Sequence, residues 1–104
     1  MPNVTYDEFK AWIESRPKDW SARRRVASHC PIAQYITAHE EGVWAEVLKT
    51  TYAVRPYWSY DEPKRTPSKR LPRWAQRFVR AIDNYPHLTL VKRVECLRVL
   101  EAER

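Results

Sequence analysis

Residues 63–82 read PKRTPSKRLPRWAQRFVRAI, and this stretch joins the strongest run of positive charge in the chain to its clearest amphipathic helix. Pro72 is expected to open the helix, because proline suits a first helical position. On a helical wheel Arg73, Arg77 and Arg80 span about 60°. The opposite arc is apolar and holds Trp74, Ala75, Phe78, Val79 and Ile82. The pattern predicts a helix that packs with one face and presents arginine with the other.

Two further helices are predicted in the first half of the chain. Thr5 and Glu8 have the spacing of a capping box, in which the threonine oxygen accepts a backbone N–H and the glutamate reaches back to the cap. The helix that follows has a face made of Tyr6, Phe9, Trp12 and Ile13. A second helix is expected to begin at Pro31, with Cys30 or Ser28 as its cap.

A period of two replaces the helical period after Gly42, the single glycine of the chain. Apolar and polar residues then alternate in two runs, which predicts an antiparallel hairpin or meander that turns near Lys49 and Thr50. Pro56 indicates that the second strand is an edge strand or is broken there, since proline cannot donate to a strand ladder.

The last predicted helix is capped by Thr89 and has a broad apolar face. That face comprises Leu90, Val94, Cys96, Leu97 and Leu100. Val91 and Val99 fall outside it, so this helix is expected either to be buried on two sides or to contact a partner. The elements together predict an α+β fold in which helix predominates, with about four helices and a small antiparallel two- or three-stranded sheet.

The length and composition favour a single domain over residues 1–104. A chain of 104 residues with 43 % apolar and 31 % charged content can bury a core without a metal or a disulfide framework. No apolar run approaches the roughly 18 residues of a membrane span, and the start of the chain lacks the pattern of a signal peptide. With two cysteines only, Cys30 and Cys96, we expect a cytoplasmic protein with free thiols.

The net charge of +6 is unevenly distributed along the chain. Residues 16–25 carry a net +4 and residues 64–80 a net +7, so the rest of the chain sums to −5. Residues 16–29 are expected to form a connection that can hold a short helical turn. A basic footprint on a mildly acidic body indicates an anionic partner.

Several kinds of chemistry are disfavoured. A single glycine excludes the phosphate-cradling loops of Walker-type NTPases and Rossmann oxidoreductases. The histidines and cysteines show no paired metal-ligand spacing, and His39 is expected in the core, so we expect no metal and no cofactor. Cys30 could be a nucleophile activated by a helix start and by His29, but a buried or capping cysteine is the favoured interpretation. Enzymatic activity is therefore not expected.

The basic tract and its neighbouring aromatics remain as the candidate binding residues. Such arginines and lysines can follow a phosphate backbone, and bases stack on exposed aromatic rings. The alternative is a solvated helix face, with aromatics that pack the sheet. The candidate residues are Lys64, Arg65, Lys69, Arg70, Arg73, Arg77, Arg80, Tyr57, Trp58, Tyr60, Arg23, Arg24 and Arg25.

Two strings resemble segments of short uncharacterised proteins from bacteria and their phages: CPIAQYI at residues 30–36 and LPRWAQRFVRAID at residues 71–83. They cover about a fifth of the chain, and no activity comes with the resemblance. It implies a small, basic, non-catalytic phage product that binds a host complex, and inhibitors of defence systems are one such class.

Two hypotheses of different classes follow. The first is a binding protein that engages nucleic acid or a nucleoprotein through the arginine-lined helix, without reading base sequence. The second is an inhibitor or adaptor that sets the same arginines against an acidic surface of a host protein, with aromatic anchors. A sequence-specific helix-turn-helix reader is disfavoured, because the last helix mixes Glu95 with Lys92 and Arg98. An enzyme that uses Cys30 is third.

Overall fold

The computed structural model describes residues 4–23, 26, 28–40, 43–56, 68–84 and 90–102. The predicted α+β class, with helix predominating, is confirmed over these residues. The helices are α1 (Tyr6–Glu14), α2 (Pro31–His39), α3 (Arg73–Asp83) and α4 (Arg93–Ala102). The strands are β1 (Ser21–Arg23), β2 (Val43–Val47), β3 (Thr51–Pro56), β4 (Lys69–Arg70) and β5 (Leu90–Lys92). No helix in these ranges is long and apolar enough to cross a membrane.

Helix α1 begins where the sequence predicts, and it lies against helix α4. Thr5 caps it, and the Thr5 hydroxyl oxygen accepts from the N–H of Glu8 at 3.4 Å. The Glu8 carboxylate does not reach back to the cap as expected; it accepts instead from the hydroxyl of Tyr35 at 3.5 Å. The Tyr6 hydroxyl donates to the carbonyl of Leu100 at 3.1 Å, so the first and last helices are tied together.

Helix α2 and the hairpin that follows it form one packed unit. Of the two candidate caps, Cys30 is the one used: its Sγ accepts from the N–H of Ala33 at 3.4 Å, and Pro31 is the first helical residue. β2 and β3 pair antiparallel around a turn at residues 49–50, as predicted. The Thr37 hydroxyl accepts from the N–H of Ala45 at 3.0 Å, which fixes the hairpin to α2.

A second pairing converts the hairpin into a three-stranded sheet of order β2-β3-β4. Lys69 lies opposite Tyr52 and Arg70 opposite Thr51, and the N–H of Leu71 donates to the carbonyl of Thr50 at 2.9 Å. β3 is therefore flanked on both sides at its start, and its described part ends at Pro56. The sequence did not predict β4.

Two predictions are wrong, one for residues 16–29 and one for the start of the last helix. Residues 16–29 contain β1, which pairs antiparallel with β5 as a separate two-stranded sheet. The last helix begins only at Arg93, because the residues before it belong to β5. Leu90 and Val94 of the predicted apolar face are consequently exposed, at 48 % and 57 %. Val91 and Val99, which the helical wheel placed outside that face, are buried.

The core is centred on an aromatic cluster that joins three helices. The ring of Phe9, which is completely buried, lies 5.5 Å from Tyr35, 5.6 Å from Trp74 and 5.3 Å from Phe78, measured between ring centroids. The contacts with Tyr35 and Phe78 are edge-to-face, which is a preferred geometry for aromatic pairs. This cluster sets α3 on the body of the protein and so decides which face of α3 is left in solvent.

Candidate nucleic-acid interface

Helix α3 presents its arginines to solvent, as the wheel predicts. Arg73, Arg77 and Arg80, here called the arginine stripe, are all exposed. The opposite face is committed to the core: Ala75, Phe78, Val79 and Ile82 are buried and Trp74 is partly buried. At 1.5 Å of rise per residue, the stripe extends for about 10 Å along the helix.

Two more of the predicted basic residues are held beside the start of α3. Lys69 and Arg70 are exposed in β4, which the sheet fixes in place. Only Leu71 and Pro72 separate β4 from the helix, and Pro72 is the cap and not the first helical residue as predicted. The positive charge of the strand and of the stripe is therefore continuous along the chain.

No acidic side chain in the first turn of α3 offsets the positive charge of Lys69, Arg70 and Arg73. Pro72 provides no side-chain cap. The amide of Gln76 instead donates back to the carbonyl of Leu71 at 2.8 Å. Since the start of a helix carries partial positive charge, the helix dipole adds to the potential of Lys69, Arg70 and Arg73.

Two ion pairs join described residues outside α3. Lys10 pairs with Glu101, and Arg55 pairs with Glu46 at 3.0 Å. Arg73 and Arg80 take part in no ion pair between described residues. Their charges are therefore available to an external anion.

The remaining predicted residues divide into two groups. Arg23 is exposed in β1, opposite Leu90 of β5, on an element separate from the stripe. The others lie outside the described residues: Tyr57, Trp58, Tyr60, Lys64, Arg65, Arg24 and Arg25. Their proposed binding role stays a prediction.

Sequence reasoning missed a groove lined by tryptophan. Trp12, Trp20 and Trp44 come from α1, the turn before β1, and β2, and they line a groove with a volume of about 860 Å³. The helical wheel placed Trp12 on the apolar face of the first helix, and its side chain is only partly buried. A signal was present in the sequence, because Arg16 follows Trp12 by four residues, the spacing at which side chains meet on a helix. We call this surface the tryptophan groove.

His39 is not in the core, contrary to the sequence prediction. The side chain is exposed, and its Nδ1 donates to the carbonyl of Tyr35 at 2.7 Å. The ring lies over Tyr35, with 4.3 Å between centroids. Within the described ranges there is no group of three or more His, Cys, Asp or Glu side chains that could hold a metal ion.

Cys30 is a buried cap, and its surroundings suppress the thiolate. The helix start favours the thiolate through the N–H groups of Ala33 and Ile32, but burial outweighs them and raises the pKa of Cys30 to about 12. Burial also raises the pKa of Cys96 to about 12. Both cysteines are free. At neutral pH the two sulfur atoms are therefore held as thiols.

We expect iodoacetamide to label both cysteines slowly in the folded protein at neutral pH, about 100-fold or more below the rate in the unfolded chain. The thiolate is the reacting species, and burial depletes it at Cys30 and Cys96 alike. Mass spectrometry after timed quenching gives the rate at each site, with the same reaction in concentrated guanidinium chloride as the control. Fast labelling of Cys30 alone would contradict this account and favour a reactive nucleophile.

Comparison with protein-family models, with curated proteins and with solved structures found no match for this chain.

Proposed function

We propose that this protein is a non-enzymatic, cytoplasmic nucleic-acid-binding protein that contacts the phosphate backbone through the arginine stripe, without reading base sequence. The observation that carries the proposal is that Arg73, Arg77 and Arg80 are exposed along one face of a helix whose other face is fixed in the core. A helix anchored in this way presents its charges in a preset arrangement.

The dimensions of the stripe suit a phosphate backbone. Its length of about 10 Å equals roughly three nucleotide steps of one strand, at about 3.4 Å each along the duplex axis. Arginine binds phosphate oxygens through paired N–H donors, which favours it over lysine for such contacts. Lys69 and Arg70 extend the positive surface beyond the helix start.

The proposal is tested by titrating labelled single- and double-stranded DNA and RNA with the protein at two salt concentrations. We expect binding to all four at low salt, weakening steeply as salt rises, since counterion release supplies the affinity. The absence of binding to every one of them at low salt would refute the proposal.

A second candidate is an inhibitor or adaptor that binds an acidic surface of a host protein. It is favoured by Leu90 and Val94, two exposed apolar side chains on either side of the exposed Lys92. Neighbouring exposed apolar side chains with polar residues around them can mark a protein-binding surface. A pull-down from host extract, performed with and without nuclease, separates the candidates. Partners retained after nuclease treatment support the second candidate, and partners released by nuclease support the first.

A further inference from the structure

The tryptophan groove lies outside the arginine stripe and is built from elements that follow one another in the first half of the chain. Its lining comes from α1, β1, α2 and β2 and the turns beside them. The volume of about 860 Å³ falls within the roughly 300–1,000 Å³ of ligand pockets. The groove is large enough for a nucleotide.

Three flat side chains that line the groove are in contact with one another: Trp12, Arg16 and Trp20. The guanidinium of Arg16 lies 4.4 Å from the centre of the Trp12 ring, and Trp20 meets Trp12 edge-to-face at 5.9 Å. Arg16 is held there because its Nε donates to the Trp12 carbonyl at 3.2 Å and its Nη2 to the Ser15 hydroxyl at 3.2 Å. These bonds use two of its five N–H groups, and indole and guanidinium planes are both surfaces on which unpaired bases stack.

Gln34 lines the groove and holds the Trp20 ring in place. Its carbonyl oxygen accepts from the Trp20 indole N–H at 3.0 Å, and its amide nitrogen donates to the backbone carbonyls of His29 at 3.0 Å and Ser21 at 3.4 Å. The indole N–H is thus satisfied internally, and the ring is held in one orientation. A preset aromatic surface loses little entropy when a ligand binds.

The charge of the groove decides which ligand it suits. The described residues that line it include Arg16 and His29 and no carboxylate. The nearby acid on β2, Glu46, is paired with Arg55, whose guanidinium also lies 5.6 Å from the Trp44 ring. A cationic ligand would find no counter-charge among these lining residues, whereas an aromatic ring attached to an anion complements both the tryptophans and the arginine.

We propose that the tryptophan groove binds an unpaired base of single-stranded nucleic acid, with the base against Arg16, Trp20 and Trp44, and with Trp12 supporting the Arg16 guanidinium. This proposal rests on the nucleic-acid binding proposed for the arginine stripe and adds a preference for single strands. The proposal also accounts for Arg23, one of the predicted binding residues. Arg23 lies on the same face of β1 as Ser21, and Ser21 lines the groove.

The first test uses the unmodified protein. A labelled short oligothymidylate and the same oligomer with abasic sites carry equal phosphate charge, so the affinity ratio isolates the base. We expect about tenfold weaker binding of the abasic oligomer, consistent with stacking on aromatic side chains. Equal affinity for the two oligomers would overturn the groove proposal, as would equally effective displacement by polyglutamate of the same charge.

The second test places a carboxylate in the groove at Ala38, which is exposed on α2 and lines it. Ala38→Glu is expected to bind the single strand about tenfold more weakly than Ala38→Gln, a neutral variant of the same size. Ala102→Glu puts the same charge on an exposed position of α4 outside the groove, and we expect an affinity within about twofold of the unmodified protein.

The failures of the two proposals are distinguishable. If oligomers bind but Ala38→Glu equals Ala38→Gln, the groove proposal is wrong and the stripe proposal stands. If no nucleic acid binds at low salt, both are wrong. Should Ala38→Glu fail to fold by circular dichroism, the abasic comparison on the unmodified protein still decides the question.

Discussion

Replacing Phe9 by alanine is expected to lower the free energy of unfolding by about 3 to 5 kcal/mol, the range for removing a fully buried phenylalanine. The Phe9 ring is completely buried and meets the rings of Tyr35, Trp74 and Phe78 within 5.6 Å. The surrounding rings are anchored on two helices, α2 and α3, and cannot all collapse into the space left. Chemical denaturation followed by tryptophan fluorescence measures the decrease.

The matched control is Leu48→Ala, which removes an apolar side chain that is 59 % exposed. We expect it to change stability by no more than about 0.5 kcal/mol. If Phe9→Ala leaves too little folded protein, Phe9→Leu should show a smaller decrease of about 1 to 2 kcal/mol. A decrease below about 1 kcal/mol for Phe9→Ala would contradict the packing of α3 on this cluster.

Reversing the charge of the arginine stripe is expected to have the largest effect on binding. Changing Arg73, Arg77 and Arg80 to glutamate turns three attractive charges into repulsive ones, and we expect affinity for DNA or RNA at low salt to fall by about 100-fold or more. The three positions are exposed, so the fold should be retained. Fluorescence anisotropy gives the affinity, and circular dichroism checks the fold.

The control for that experiment carries the same change in net charge at other exposed positions, Lys18→Glu, Lys49→Glu and Arg98→Glu. Because the stripe is proposed to contact phosphate directly, this variant should bind at least about tenfold more tightly than the stripe variant. Equal affinities of the two variants would show that overall charge, and not the stripe, is responsible for binding.

Local patterns in the sequence were sufficient to predict α1, α2, α3 and the β2–β3 hairpin. In α3 the arginines and the apolar residues fall on opposite arcs over eleven residues, so the period is unmistakable. Cys30 and Pro31 marked the start of α2 through cap chemistry, which is also local. These elements depend on neighbours within a few positions.

The missed strands depend on distant partners. Ser21 pairs with Lys92 and Arg23 with Leu90, across most of the chain. Three residues are too few to display a period of two, and strand formation depends on what lies across the ladder. The run from Leu90 onward therefore matched a helical wheel, although tertiary pairing makes its first three residues extended.

The candidate binding site likewise combines one feature set by a local pattern with one that depends on tertiary packing. The arginine stripe is one helix face and was visible in the sequence. The tryptophan groove draws Trp12, Trp20 and Trp44 from separate elements, and no pattern along the chain brings them together. Pairwise signals such as Trp12 and Arg16 indicate a contact but not a cavity.

The most direct test of the central claim, that the arginine stripe contacts phosphates, is the salt dependence of binding to single-stranded DNA. The logarithm of the binding constant is plotted against the logarithm of salt concentration for the unmodified protein and for the variant with Arg73, Arg77 and Arg80 changed to glutamine. Each phosphate that the variant no longer neutralises should make the slope shallower by about 0.7, so we predict a slope shallower by about 2 for the three substitutions together. Identical slopes would contradict the account.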